Sequence, residues 1–172
     1  MPAPLEINWN DFVKRDAPRI YRYFSARFTL ETSDDLTQEV LMRLVAKVES
    51  DQFSSAKGSL IQYAFGIAHF VAQENLKRHQ NEVKKYSPEI VLENLEDTLK
   101  LTQEDHFFKH EDFKKLKQAL TQLSSVEQDI LSLLIDRDTS LLDISNIVGL
   151  PLNTVKSHIR RSKFKLKAIL SG

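Results

Sequence analysis

The stretch from Ser140 to Leu170, SLLDISNIVGLPLNTVKSHIRRSKFKLKAIL, decides how the end of this chain folds. Its first part carries apolar residues at helical spacing: Ile144, Ile147 and Val148. Gly149 is typical of a left-handed C-terminal cap, and Pro151 prevents the helix from continuing. The pattern predicts a short helix, a tight turn and a longer helix, which is the arrangement of a helix-turn-helix.

The longer helix has two stripes of different character. Asn153 offers its N-cap. Helical spacing predicts a buried stripe made of Val155, Ile159, Ser162, Leu166 and Ile169. A cationic stripe lies beside it, formed by Lys156, Arg160, Lys163 and Lys167 and widened by Arg161 and Lys165. A cationic helix after a tight turn favours contact with DNA phosphates, whereas a solvated basic helix end is the plainer alternative.

Charge is distributed unevenly along the chain. Residues 152–172 contain six Lys or Arg and no acid, so the other 151 residues carry 18 cations against 24 acids. A surface that repels nucleic acid everywhere except at one helix favours a defined placement on DNA over general coating.

Composition indicates a helical, cytosolic protein. The 172 residues include only four glycines and no cysteine, which excludes disulfides and thiolate chemistry. The N-terminal residues resemble no signal peptide, and no stretch approaches the roughly 20 apolar residues of a membrane span. We therefore expect cytoplasmic localisation without membrane insertion.

The first third of the chain predicts a core-forming helical block. Asn10 is expected to cap a short helix to about Asp16, with Pro18 ending it and opening the next. Core positions in that next helix are Ile20, Phe24 and Phe28, and the residues expected off its core face are Arg19, Tyr21, Arg22, Tyr23 and Arg27. A helix start is predicted at Thr32–Asp35. The helix that follows has an apolar face of Leu36, Val40, Leu41, Leu44, Val45 and Val48.

A loop and a third helix complete this block. Residues 50–58 read as a loop, and Ser59 with Gln62 resembles a capping box. The helix is expected to run to about Lys85, with one side traced by Leu60, Ala64, Ile67, Ala68, Val71 and Asn75. Of Tyr63, Phe65 and Phe70, we expect two in the core and one at the surface.

An acidic segment separates two helical blocks. Residues 87–112 hold eight acids and two lysines, which predicts a linker. His106 and His110 have helical metal-ligand spacing, but no third His or Cys lies near, so no metal is expected. The second block contains the apolar series Phe113, Leu116, Leu120 and Leu123, a capping box at Ser124–Glu127 and then the helix-turn-helix.

Several motifs together resemble the sigma-70 family of RNA polymerase sigma factors. DDLTQEVLMRLVAKV (34–48) is similar to region 2.2, and APRIYRYF (17–24) to the helix before it. GSLIQYAFGIAHFVAQENLKRH (58–79) resembles regions 2.3 and 2.4. LSSVEQDILSLL (123–134) and the helix-turn-helix resemble region 4. The missing regions 1.1 and 3 indicate the extracytoplasmic-function (ECF) group.

The resemblance implies an all-α protein of two small domains, 5–86 and 112–170, joined by an acidic linker at 87–111. Such a factor binds core RNA polymerase through its β′ and β subunits, directs it to promoter DNA and helps to open the duplex. It has no enzymatic activity and no cofactor, and an anti-sigma factor is a common partner. In such factors the linker lies near the RNA exit channel.

The resemblance also assigns site residues. Residues matching the polymerase-docking face are Asp35, Gln38, Glu39, Met42 and Arg43. Those matching the minus-ten element reader are Phe53, Lys57, Tyr63, Phe65, His69, Phe70, Gln73, Lys77 and Arg78. Those matching the minus-thirty-five reader are Asn153, Thr154, Lys156, Ser157, His158, Arg160, Arg161, Lys163 and Lys165.

The minus-ten block departs from the family pattern. Family members usually carry Arg or Asn where this chain has Gly66, His69 and Phe70, and commonly Trp in place of Tyr63. We therefore expect this block to hold bases more by stacking on Tyr63, Phe65 or Phe70 than by base-specific hydrogen bonds. Phe164 also replaces a usual basic residue and is expected to point away from the buried stripe.

Two other function classes fit part of the pattern. A stand-alone helix-turn-helix regulator explains residues 112–170 but leaves DDLTQEV without a role. A degenerate sigma factor that binds polymerase only as an adaptor fits the weakly basic minus-ten block. An enzyme is the least favoured class, because the chain has no phosphate loop and no HExxH motif.

Overall fold

The computed structural model describes residues 6–78, 119–136 and 138–170, and these residues form helices and connecting turns without a strand. Within these described residues there are six α-helices, in chain order α1 (Trp9–Ser25), α2 (Leu30–Glu49), α3 (Leu60–Arg78), α4 (Ser125–Leu134), α5 (Leu141–Val148) and α6 (Leu152–Leu170). A short 3-10 helix, Ser55–Lys57, lies between α2 and α3. The expected all-α class is confirmed.

The first helix is longer than the sequence predicted. Asn8 caps it, since the Asp11 amide donates to Asn8 Oδ1 at 3.2 Å. The helix then continues through Pro18 to Ser25, so the expected Asn10 cap and the break before Pro18 are wrong. Pro18 and Lys14 lie on the exposed side, where water can bond the carbonyl that proline leaves without a donor.

The second helix begins earlier than expected. Thr29 is the N-cap, because its hydroxyl accepts the Thr32 amide at 3.1 Å. The predicted start at Thr32–Asp35 is wrong, since Ser33 is already buried inside the helix. Both sites offer capping side chains, and the earlier one is used, so that the helix begins at Leu30.

The three long helices of the first block enclose an apolar core. Ile20, Phe24 and Phe28 are buried as predicted. Tyr23 and Arg27, which were expected off the core face, are buried as well, because a second layer of helices covers that side of α1. The predicted capping box of α3 is confirmed, with reciprocal bonds of 3.1 and 3.3 Å between Ser59 and Gln62.

The second block contains the expected helix-turn-helix. Ser124 and Glu127 form the predicted capping box of α4, and a second capping box joins Ser140 to Asp143 at the start of α5. Gly149 ends α5 at φ 73°, the left-handed conformation predicted from the sequence. The expected N-cap at Asn153 is wrong, because α6 already begins at Leu152.

In that first turn the Pro151 carbonyl accepts the Val155 amide at 3.0 Å. The predicted buried stripe of α6 does face inward: Val155, Ser162 and Leu166 are buried, and Ile159 and Ile169 are partly buried.

The two blocks pack against each other. Helices α1 and α3 contact α4 and α5, and one continuous apolar cluster includes Phe65 of the first block with Ile130, Leu133 and Ile144 of the second. The domain boundaries and the acidic linker remain predictions, because residues 79–118 lie outside the described part, as do His106, His110, Phe113, Leu116 and the expected end of α3 near Lys85.

Candidate nucleic-acid and partner surfaces

The outward face of α6 presents the expected basic surface. Lys156, Arg160 and Arg161 are exposed, and so is Asn153. The remaining residues of the predicted minus-thirty-five reader are partly buried: Thr154, Ser157, His158, Lys163 and Lys165. The three exposed cations lie on or beside the side of the helix turned away from the buried stripe. This face can reach DNA phosphates and the edges of bases while the helix stays packed.

Lys165 has an internal partner. Its ammonium lies 3.0 Å from both carboxylate oxygens of Glu127, whose side chain is almost fully buried. Burial by itself raises the pKa of Glu127, but the Lys165 ammonium and the Ser124 amide outweigh it and hold that pKa below 4.5. Lys165 therefore fastens α6 to the cap of α4, and its charge is largely compensated before DNA arrives.

Phe164 is the most exposed large apolar side chain of α6, with 75% of its surface accessible. It points away from the buried stripe, as expected. His158 contributes less to this face than its neighbours, because its Nδ1 atom is buried.

The polar face of α2 has an exposed part and a fixed part. Asp35, Gln38 and Met42 are exposed, and Met42 has 69% of its surface accessible. Arg43 instead bonds Glu39 at 2.8 Å and Glu74 of α3 at 2.9 Å, which raises the pKa of Arg43. Arg43 thus ties α2 to α3, and the exposed trio offers the more accessible docking surface.

A groove of about 720 Å³ lies beside the minus-ten block. Phe53 and Tyr63, whose ring centroids are 5.3 Å apart, line it together with Lys57, and Phe70 stands at its edge with 59% of its surface exposed. Gly66 also lines it, and a β-carbon there would meet nothing within 4 Å. The groove therefore combines aromatic faces, a cation and room for a flat ring.

Part of the predicted minus-ten surface is covered. Phe65 is only 1% exposed and packs edge-on to Tyr23, so its assignment to base stacking is wrong in this arrangement. His69 is partly buried, and Gln73 donates to Asp129 of α4 at 2.8 Å. Lys77 and Arg78 remain exposed. Of the three aromatics, one is buried, one partly buried and one exposed, close to the expected two-to-one division.

Sequence reasoning missed the charged groups between the blocks. Arg27 pairs with Asp129, and the two side chains are 2% and 8% exposed. Arg19 pairs with Asp136 through two bonds of 2.7 and 2.8 Å, and Gln62 bonds Asp143. The three aspartates are spaced seven residues apart, which was a usable signal, but their partners become neighbours only through folding.

Burial and ion pairing act in opposite directions on these groups. Burial raises the pKa of Asp136, yet the hydrogen bonds from Arg19 and Thr139 outweigh it and hold that pKa below 3.8. At His69 burial dominates and lowers the pKa, with Asp129 opposing and Arg27 reinforcing that effect. The contact between the blocks therefore favours an ionised carboxylate at Asp136 and a neutral imidazole at His69.

The described residues form an all-helical fold that includes a helix-turn-helix, and the second helix of that motif has a basic outer face. No family model matches the chain. The ECF RNA polymerase sigma factor EcfG of Rhodopseudomonas palustris (strain TIE-1) is 26% identical over 168 residues, which cover 97% of this chain and 87% of that protein.

A solved structure has the same fold. The sigma factor RpoE of Bartonella quintana, crystallised with the anti-sigma factor NepR, superposes with a TM-score of 0.66 at 19% identity, over 95% of this chain and 97% of that one. In motif order, fold and sequence the chain is therefore similar to ECF-type sigma factors of the sigma-70 family.

None of the helices among the described residues is long and apolar enough to cross a membrane. None of the His, Asp or Glu side chains of the same residues form a group of three or more suited to a metal ion.

Proposed function

We propose that this protein directs bacterial core RNA polymerase to specific promoters and helps to open them, working in the cytoplasm without a cofactor. The observation that carries the proposal is the exposed basic face of α6 in the same chain as the exposed polar face of α2. The likeness to an ECF sigma factor over nearly the whole chain supports it.

The α6 face would bind the minus-thirty-five element. Lys156, Arg160 and Arg161 lie exposed and free to contact phosphates or base edges, and each well-placed base contact discriminates by about 1–3 kcal/mol. Phosphate contacts would position the protein on the duplex, and the base contacts would select the sequence.

The groove beside α3 would hold unpaired bases of the minus-ten element. Tyr63 and Phe70 offer stacking faces, and Lys57 offers a charge for the backbone. Stacking on an aromatic side chain contributes about 1–3 kcal/mol per base, which offsets an unstacking cost of a few kcal/mol. The mechanism needs no bond-making step in this chain.

The exposed trio Asp35, Gln38 and Met42 would dock on the β′ subunit. Charged and amide groups around an exposed methionine form a surface suited to a partner helix. An anti-sigma factor is the expected regulator, as the solved neighbour was crystallised with one.

Reconstituted transcription with bacterial core polymerase on a promoter library tests the proposal. The wild-type protein should direct initiation from a defined subset of sequences. Gln38→Ala with Met42→Ala should weaken co-purification with core polymerase, whereas Lys14→Ala with Glu49→Ala, exposed on α1 and α2, should not. No initiation on any promoter would contradict the proposal.

Two rivals predict different results in the same experiment. A stand-alone helix-turn-helix regulator would bind a palindrome as a dimer without polymerase. An adaptor would bind polymerase but yield no transcript from any promoter.

A further inference from the structure

The outer face of α6 carries one large apolar side chain. Phe164 has 75% of its surface accessible, the highest value among the large apolar side chains of the described residues. The exposed residues Asn153, Lys156, Arg160 and Phe164 follow one another at intervals of three or four positions, so they form a single row along the helix. An apolar side chain therefore lies in the row that the proposed function turns towards DNA.

Neighbouring residues hold Phe164 in this outward position. Ser162 and Leu166, two positions before and after it, are only 1% and 2% exposed. The next residue, Lys165, has its ammonium 3.0 Å from the buried carboxylate of Glu127 in α4. A rotation of α6 that buried the phenyl ring would expose Leu166 to water and break this ion pair. The packed helix therefore keeps Phe164 at the surface.

The residues next to Phe164 favour duplex DNA over a protein partner. Arg160 and Arg161 are exposed and lie one helical turn before Phe164, so their charges draw the DNA backbone towards the phenyl ring. Polar base edges line most of the major groove, and the C5 methyl of thymine is the apolar group that a side chain can recognise there. A phenyl ring against that methyl removes apolar surface from water on both molecules. Thymine is therefore the base whose chemistry fits Phe164.

From these observations we infer that Phe164 is a specificity-determining residue, which contacts the C5 methyl of one thymine in the minus-thirty-five element. The inference rests on the proposed function. A helical rise of 1.5 Å per residue separates Phe164 from Asn153 by about 16 Å along the helix, or about five base pairs of 3.4 Å. The thymine therefore lies no more than about five base pairs from the pair nearest Asn153. Phosphate contacts attract every duplex alike, whereas this contact favours duplexes with thymine at that position.

Replacing thymine by uracil removes only the methyl group and so tests this contact directly. Duplexes are first recovered from a random library by the full chain bound to core polymerase. Each thymine of a recovered duplex is then changed in turn to uracil, and affinity is measured by fluorescence anisotropy. One such change should lower the affinity of the wild-type protein about fourfold, which corresponds to about 0.8 kcal/mol for one buried methyl-sized group. Uracil in the flanks of the same duplex should have no effect.

Substitutions at Phe164 complete a double-mutant cycle with the uracil duplex. Phe164→Ala should bind the thymine duplex about fourfold more weakly than wild type and should not distinguish thymine from uracil at the sensitive position. Phe164→Lys should also lose the distinction, but it should steepen the slope of log affinity against log salt concentration by about 0.9 through one added phosphate contact. Val13→Ala trims an exposed apolar side chain of α1 and is the matched control, which should bind like wild type. Circular dichroism checks that each variant is folded.

The outcomes separate the inference from the proposed function. If the wild-type protein binds a recovered duplex but no uracil weakens it, or if Phe164→Ala keeps the wild-type response to uracil, the inference is wrong and the proposed function stands. If Phe164→Ala binds duplexes like wild type but lowers initiation, Phe164 contacts a protein and the inference is also wrong. If Phe164→Ala does not fold, Phe164→Lys decides. If the wild-type protein with core polymerase recovers no duplex, the proposed function itself fails.

Discussion

The core of the first block and the contact between the blocks share one apolar cluster but differ in how much charge they bury. Inside the first block, Ile20, Phe24, Val40 and Leu44 are fully buried against one another. Between the blocks, apolar contacts surround a buried ion pair, a second ion pair and an amide–carboxylate bond. Apolar surface is costly to expose, whereas charged groups are well solvated once apart. The first core therefore depends on apolar burial, whereas the contact between the blocks depends on charge pairing as well as on apolar burial.

The largest expected effect tests the apolar core of the first block. Leu44→Ala should lower the free energy of unfolding by about 2–5 kcal/mol, because it removes a fully buried side chain and leaves a cavity. Urea denaturation followed by circular dichroism measures it. Met42→Ala, two residues earlier on the same helix and exposed, is the control and should change stability by less than about 0.5 kcal/mol. Equal losses in both variants would contradict the assignment of the core.

The next effect tests the ionic contact. Asp129→Asn leaves Arg27 buried without its charge partner and should destabilise the packed state by about 3 kcal/mol. The double variant Arg27→Met, Asp129→Leu should recover most of that loss or exceed wild-type stability, since an apolar pair avoids the desolvation cost. Hydrogen exchange at the amides of α3 and α4 measures the opening. If these amides exchange as fast in the double variant as in Asp129→Asn, the loss of the charge pair does not explain the destabilisation.

A smaller effect distinguishes two cations of α6. Arg161→Ala should reduce the slope of log affinity against log salt concentration on promoter duplex by about 0.9, the value for one phosphate contact. Lys165→Ala should change that slope much less, because Glu127 already compensates its charge, although it should loosen α6. Fluorescence anisotropy over a salt series measures both. Identical slopes for the two variants would mean that Lys165 leaves Glu127 to bind DNA.

The smallest expected effect is a dependence on pH. The pKa of His69 is below 6.5 in the packed state, chiefly through burial, with Arg27 reinforcing and Asp129 opposing. The stabilisation is therefore complete above pH 6.5 and is lost as pH falls below it, because the separated state then binds the extra proton. Asp136, whose pKa is below 3.8, adds a separate loss only in more acid solution.

Distance measurements between labels at Ala56→Cys and Leu142→Cys, taken between pH 8 and pH 5, check this dependence. His69→Gln should remove it, since the amide does not titrate in that range. If the distance between the labels still changes with pH in His69→Gln, a group other than His69 is responsible for the pH dependence.

Much of the local structure could be predicted because it depends on neighbours in the chain. Gly149 and Pro151 set the turn of the helix-turn-helix, and the Ser124 capping box needs only Glu127 three residues later. The errors in local structure occur where the sequence offers more than one possible helix boundary. Thr29 caps α2 in place of the Thr32–Asp35 segment, and α1 continues through Pro18 instead of ending before it. Packing decides between such near-equal options, and a linear pattern does not contain it.

The sequence by itself determined the all-helical class, the helix-turn-helix, the basic face of α6 and the resemblance to sigma factors, since spacing, capping and charge along one helix are local properties. Only the tertiary structure decided that Phe65 is buried, that Lys165 forms an ion pair with Glu127, and that Arg27 forms one with Asp129, 102 positions away in the sequence. Those facts depend on which helix faces are brought together, and that choice is made by the burial of the whole apolar cluster at once.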